Sequence, residues 1–187
     1  RCHVILSLDP SSTCTGWAVM DYGEQYVASG RLLPGHVKIE PKELAPYYCI
    51  DAMCLGLHKL LEEYRPQEVV MEWTSGKRAA RLGQNVSHLA IYGVAVGAIW
   101  REAVNWTAYW TDKGTPCAVV SYLENTWTQG QAKGHRIQIA QALFRQYDPT
   151  RDSGGDEADA IMLNVWHQRE QKLEQAIREH STEKGQP

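Results

Sequence analysis

Two apolar runs in this chain each end on an acid. Asp9 closes Val4-Ile5-Leu6-Ser7-Leu8, and Glu72 closes Val69-Val70-Met71. Both runs read as buried strands, so each acid stands where a strand leaves the core. Two more acids, Asp156 and Asp159, sit three apart at the start of a helical pattern. Residues i and i+3 share one helix face. Two strand ends and one helix start can therefore meet at a point. Four like charges brought together repel one another unless a cation holds them. Carboxylate oxygens are hard ligands and select magnesium or manganese over zinc. Taken singly, Asp9 before Pro10 also fits a turn, Glu72 a surface acid, and Asp156 with Asp159 a helix cap and its dipole partner.

The rest of the pattern sets the fold class. Val4 to Asp9, Gly16 to Met20 and Gln25 to Leu33 form a meander, with turns at Pro10 to Thr13 and Asp21 to Glu24. A helix follows from about Pro41 to Tyr64, stopped by Pro66, and Val69 to Glu72 is the fourth strand. A long helix is expected from about Lys77 to Ala103, and Trp106 to Thr115 reads as a loop. Cys117 to Tyr122 is the fifth strand. Glu124 to Gly134 is polar and reads as a mobile stretch. Helices resume at His135 to Tyr147 and at Asp156 to about Ile177. Residues from about 178 onward, and Ser181 to Pro187 in particular, read as a flexible, frayed tail. This order predicts one α/β domain over residues 1–187, with a mixed five-stranded sheet flanked by helices on both faces.

The second long helix is apolar nearly all round, with Gly93, Ala95, Gly97 and Ala98 permitting close approach. Such a helix needs cover on both sides. Either it has a core face and a subunit interface, or it lies wholly inside the chain.

Composition excludes more than it assigns. The 187 residues are 43% hydrophobic and carry a net charge of −3, which does not announce a nucleic-acid partner. Setting the four acids aside as ligands leaves the remainder slightly basic. Five cysteines without a CxxC pair, and seven scattered histidines, give neither a disulfide framework nor a zinc signature. The uncharged stretch from Ala90 to Trp100 is too short to span a bilayer, and no signal peptide is visible at the start. Residue 1 is Arg, so the chain is expected to lack its initiator Met or a longer leader. Two basic groups, Lys77 with Arg78 and Arg81, and Lys133 with His135 and Arg136, lie near the acids in sequence. Otherwise each reads as a solvated helix start.

These pieces, in this order, resemble the RuvC-type Holliday junction resolvases within the ribonuclease H-like nucleases. The resemblance spans about Val4 to His167. It is carried by Leu8-Asp9-Pro10-Ser11-Ser12-Thr13-Cys14-Thr15-Gly16-Trp17, by Val70-Met71-Glu72, by Leu82-Gly83-Gln84 and by Asp156-Glu157-Ala158-Asp159-Ala160. Each is weak alone; their order and separation are specific. The resemblance implies an endonuclease that hydrolyses phosphodiesters at four-way DNA junctions with two Mg2+ (or Mn2+) ions per site. Asp9 would bridge both ions, Glu72 and Asp159 would hold one each, and Asp156 would complete the set, with Glu157 as the alternative if the register differs by one. Lys133 would stand near the scissile phosphate, with Arg136 or His135 as alternatives. A homodimer cutting two opposed strands is implied, with the second long helix at its interface.

The family places an aromatic wedge a few residues beyond the second acid. Here Trp73-Thr74-Ser75-Gly76-Lys77 offers only Trp73, with Trp127 as a second stacking candidate. Lys77, Arg78, Arg81, Lys133 and Arg136 would hold phosphates. Other branched or flapped DNA, or structured RNA, are alternative substrates on the same fold. A nucleotide-binding, actin-like protein is the remote alternative, since its Asp-x-x-x-Thr-x-x-Gly opening is duplicated in longer chains. The expected location is cytoplasmic, or organellar if a leader was removed.

Overall fold

Alternation along the strands decides which side chains meet. In a strand, successive side chains point to opposite faces of the sheet. In the computed structural model, which describes residues 3–34, 42–73 and 86–183, β1 spans Val4–Pro10. Leu6 and Leu8 enter one core, and Ile5 enters the other. Asp9 follows Ile5 and Ser7 onto the second face. β4, Glu68–Trp73, repeats the rule: Val69 and Met71 join the first core and Val70 the second, so Glu72 shares the face of Asp9.

Five strands form one sheet in the order β3-β2-β1-β4-β5, with β2 at Thr15–Asp21, β3 at Gln25–Leu32 and β5 at Ala118–Leu123. The first three strands are antiparallel neighbours. β1–β4 and β4–β5 are parallel, which makes the sheet mixed as expected.

Helices α1 (Ala45–Tyr64) and α2 (Val86–Asp112) cover the first face. Ile50, Met53, Leu57 and Leu61 of α1 pack with Ala95, Val96, Ile99, Ala103 and Trp106 of α2. A short 3-10 turn, Lys42–Leu44, leads into α1, and Arg65 closes it in the left-handed region with φ 47°. The second face carries α3 (Glu124–Thr128), α4 (Lys133–Leu143) and α5 (Asp156–Glu183). Ala140 of α4 packs there with Ala158, Ile161 and Val165 of α5 against Ala18 and Met20.

Several boundaries depart from the sequence reading. The stretch from Trp106 is not a loop, because α2 continues to Asp112. Its Asn, Trp and Thr residues have modest helix propensity, but Trp106 is buried one turn beyond Ala103, and packing overrides propensity. Glu124 to Gly134 is not uniformly a loop either. α3 forms there because Trp127 is buried against Ile5, Val70 and Leu163. The last helix runs to Glu183 instead of stopping near Ile177, so residues 178–183 are helical and not a tail. The Glu174–Arg178 ion pair and the Gln175–Glu179 hydrogen bond support that extension. Helix α4 begins at Lys133 and ends at Leu143, short of the expected Tyr147.

α2 is not wholly internal to the chain. Val94 and Val104 stand exposed opposite its core face, and a Cβ added at Gly93 or Gly97 would meet open space.

A buried polar ladder fixes α5 in register on the sheet. Ser7 Oγ donates to the Ala160 carbonyl at 2.7 Å. Asn164 Nδ2 donates to the Ile5 carbonyl at 3.1 Å and to Ser7 Oγ at 3.2 Å. Gln168 Nε2 donates to Asn164 Oδ1, and Gln168 Oε1 accepts from the Gly23 and Glu24 amides in the β2–β3 turn. Asn164→Leu would remove three buried hydrogen bonds, to Ile5, Ser7 and Gln168. We expect a loss of about 3 kcal/mol, read as a lower urea midpoint with an unchanged slope.

Candidate metal and phosphate site

β1 and β4 run in parallel with Leu8 level with Met71, so the next residues, Asp9 and Glu72, stand side by side at the ends of adjacent strands. The start of α5 arrives over them from the second face. Close approach requires Gly16 on β2, opposite Asp9. A Cβ there would lie 1.9 Å from the Asp156 carbonyl oxygen.

The α5 start has its own anchor, Asp152, which the sequence reading missed. Its carboxylate accepts from the Glu157 amide at 3.2 Å and the Ala158 amide at 2.9 Å, and from the Tyr147 hydroxyl at 2.9 Å. Asp152 therefore satisfies the free amides of the first turn, a capping role. Gly155, at φ 70°, makes the turn between cap and helix. The signal was present as an Asp followed by Ser-Gly-Gly before the acidic pair.

Within that turn the acids divide. Asp156 and Asp159 face the strand ends, and one ammonium reaches both: Lys133 Nζ lies 2.9 Å from Asp156 Oδ1 and 3.2 Å from Asp159 Oδ2. Glu157 turns away toward β3, where Ser29 Oγ donates to it. Asp156, and not Glu157, is therefore the residue that faces Lys133 and the other acids.

Electrostatics show the crowding. Burial, then the Glu72, Asp159 and Asp156 carboxylates, push the Asp9 carboxyl well above the usual carboxylate range, with Lys133 opposing. Glu72 is raised as well, by burial foremost and by Asp159, while the Trp127 N–H works the other way. Burial disfavours the Lys133 charge, but the Asp156 hydrogen bond and the Asp159 and Asp9 charges outweigh it and hold the ammonium above the ordinary lysine range. Cys14 lies on the rim of the same cluster. Burial, then Asp156, pushes its thiol up to about 12.

The structure corrects two of the DNA contacts expected from the sequence. Trp127 does not stack on bases: its ring is 4% exposed and its Nε1 donates to Glu72 Oε2 at 2.8 Å. Arg136 does not present itself to phosphate: it is buried and gives a two-pronged contact to Asp159, Nε to Oδ1 at 2.6 Å and Nη2 to Oδ2 at 3.0 Å. Trp127 turns inward to pack on Ile5, Val70 and Leu163, and Arg136 to pair with Asp159. His135, by contrast, is exposed. Trp73 is 39% exposed and meets Trp100 edge-on at 5.7 Å, which leaves part of its ring open to solvent. Lys77, Arg78, Arg81 and the Leu82-Gly83-Gln84 segment lie outside the described residues.

The donor set fits a hard divalent cation: carboxylate oxygens from three elements, with no imidazole among them. Among the described residues, no three such groups already stand at ion-holding distance from one point. Lys133 and Arg136 supply the positive charge between them.

No family model matches the chain. A crossover junction endodeoxyribonuclease RuvC of Chromobacterium violaceum is 29% identical over 170 residues, covering 87% of this chain and 84% of that protein. One of the same description from Hahella chejuensis is 25% identical, covering 87% and 86%. Among solved structures, Thermus thermophilus RuvC in complex with a Holliday junction substrate matches with a TM-score of 0.61 at 17% identity, covering 88% of this chain and 92% of that one. A second T. thermophilus RuvC structure matches at 0.54 with 20% identity. The first of these carries the fold assignment, a ribonuclease H-like sheet with helices on both faces. The chain thus resembles these RuvC proteins in sequence over most of its length, and in fold.

Proposed function

We propose that this chain is a metal-dependent endodeoxyribonuclease that resolves four-way DNA junctions. The single observation that carries the reading is the convergence of Asp9, Glu72, Asp156 and Asp159 from β1, β4 and α5 onto one face of the sheet, in a chain with RuvC relatives along most of its length. Mg2+ is the ion we assign, two per site, with Mn2+ as its substitute. Asp9 would hold both ions, Glu72 and Asp159 one each, and Asp156 would complete the set. Bound there, divalent ions supply charge stabilisation at the attacked phosphodiester and a more acidic attacking water.

The chain's own groups do the rest. Lys133 has a side chain 41% exposed, so it can meet a phosphate from the solvent side while still contacting Asp156 and Asp159. Trp73 is the exposed ring that can stack on an unpaired base beside Glu72. Lys77, Arg78 and Arg81 follow it in sequence and would hold the backbone without reading bases.

Cutting two opposed strands needs two such sites related by a two-fold axis. The outward face of α2, with Val94, Val104, Gly93 and Gly97, is our assignment for part of that homodimer interface. No described helix is long and apolar enough to cross a membrane. The described cysteines are all free, in keeping with a reducing compartment such as the cytoplasm. We read the whole chain as one nuclease domain.

Substrate choice is tested by offering a four-way junction, a flap and a hairpin to one preparation. We expect the junction to be cut preferentially, at paired positions in opposed strands. Equal or faster cleavage of the flap would move the assignment to general branched-DNA processing.

A further inference from the structure

Two of the four acids are tied together by a contact chain outside the acidic cluster. Trp127 rises from the five-residue helix α3 and is buried on Ile5, Val70 and Leu163. Its one polar atom, Nε1, donates to Glu72 Oε2 at 2.8 Å. The Arg136 guanidinium carbon lies 5.2 Å from the centre of the Trp127 ring. Arg136 Nη1 donates to the Gln131 carbonyl, which leaves Nε and Nη2 aimed at the two oxygens of Asp159. An unbroken path thus runs Glu72–Trp127–Arg136–Asp159.

We propose that Trp127 and Arg136 act as one positioning unit, setting the Glu72 and Asp159 carboxylates relative to each other before an ion arrives. The inference rests on reading the acids as metal ligands. A glutamate at a strand end has three side-chain torsions to order, and ordering them costs free energy at the moment of binding. A rigid indole that is already packed removes part of that cost. The two-pronged arginine contact does the same for Asp159, and the guanidinium lies over the indole ring, 5.2 Å from its centre. Groups that orient metal ligands in this way typically change metal affinity by about 10–100-fold when altered. A buried indole N–H needs an acceptor in any case, so metal affinity, and not the contact alone, separates positioning from packing; a purely charge-balancing cation would need no planar fork.

The test is Mn2+ binding in the absence of DNA, followed by electron paramagnetic resonance and calorimetry, on the full chain. Trp127→Phe keeps a buried aromatic ring but removes the N–H. It is expected to weaken Mn2+ binding by about 10-fold. Glu72→Ala weakens binding by itself, and adding Trp127→Phe to it is expected to cause no further loss, because the indole acts through the acceptor that alanine lacks. Arg136→Lys keeps the charge but loses the fork, and is expected to weaken binding too; it reports independently should Trp127→Phe fold poorly.

Wild-type affinity in folded Trp127→Phe would overturn the proposal. So would an equal loss from Trp127→Phe in the Glu72→Ala background, which would mark general loosening. Tighter binding by Arg136→Lys would show the arginine competing for Asp159 and would also overturn it. Failure of the wild-type chain itself to bind Mn2+ would refute the metal reading, and the proposal with it, without reference to either variant.

Discussion

Asp9→Asn is expected to abolish junction cleavage, by about 10³-fold or more, while four-way junction binding survives at its wild-type strength or better. The change is nearly isosteric and sits where β1 leaves the core. It deletes a charge that three carboxylates already repel: burial, Glu72, Asp159 and Asp156 all raise the Asp9 carboxyl. In metal-free buffer the variant should therefore unfold at a temperature no lower than wild type, because a neutral amide relieves that repulsion. Lys133 loses one attractive neighbour but keeps its 2.9 Å contact to Asp156. The basic residues proposed to meet phosphate are unchanged, and one less negative charge favours DNA approach. Gel-shift titration alongside single-turnover cleavage separates these outcomes. Retained cleavage, or loss of junction binding by a folded variant, would contradict the assignment.

Gly16→Ala is the second large effect. The added Cβ would stand 1.9 Å from the Asp156 carbonyl oxygen, 2.3 Å from its carbon and 2.9 Å from the Glu157 nitrogen. All three are backbone atoms, so no side-chain rotation gives relief. The first turn of α5 must move, yet it is held by the Asp152 cap below and by Ser7 and Asn164 further along. We expect destabilisation by about 3 kcal/mol, and cleavage reduced well beyond the unfolded fraction, because Asp156 and Asp159 ride on the displaced turn. Catalytic geometry is sensitive to shifts of about 1 Å. Chemical denaturation and cleavage measured on the folded fraction check both halves. A fully active, fully stable alanine variant would mean that α5 does not approach β2 as described.

The strands and their acids are legible in the sequence because each relies on local pattern. Apolar runs mark β1 and β4, and period-two alternation places Asp9 and Glu72 on one face once the sheet order is known. The spacing of Asp156 and Asp159 carries the helix face. The stretch from Trp106 to Asp112 reads wrongly as a loop because its residues are indifferent helix formers; Trp106 joins the core only when α1 and the sheet are in place. Trp127 and Arg136 mislead for a related reason. Their partners, Glu72 and Asp159, lie 55 and 23 residues away, and a Trp or Arg in a polar stretch carries no mark of which way it will turn. Asp152 escapes notice because a cap is sought at the helix's first residue, whereas the chain takes a glycine turn between the cap and the helix.

The central claim is that these acids hold divalent ions for cutting a branched duplex, and cleavage of a synthetic four-way junction with and without Mg2+ tests it most directly. Paired nicks in opposed strands are predicted with Mg2+, and none in EDTA. Cleavage undiminished by EDTA, or an intact junction after incubation of folded protein with Mg2+, would contradict it.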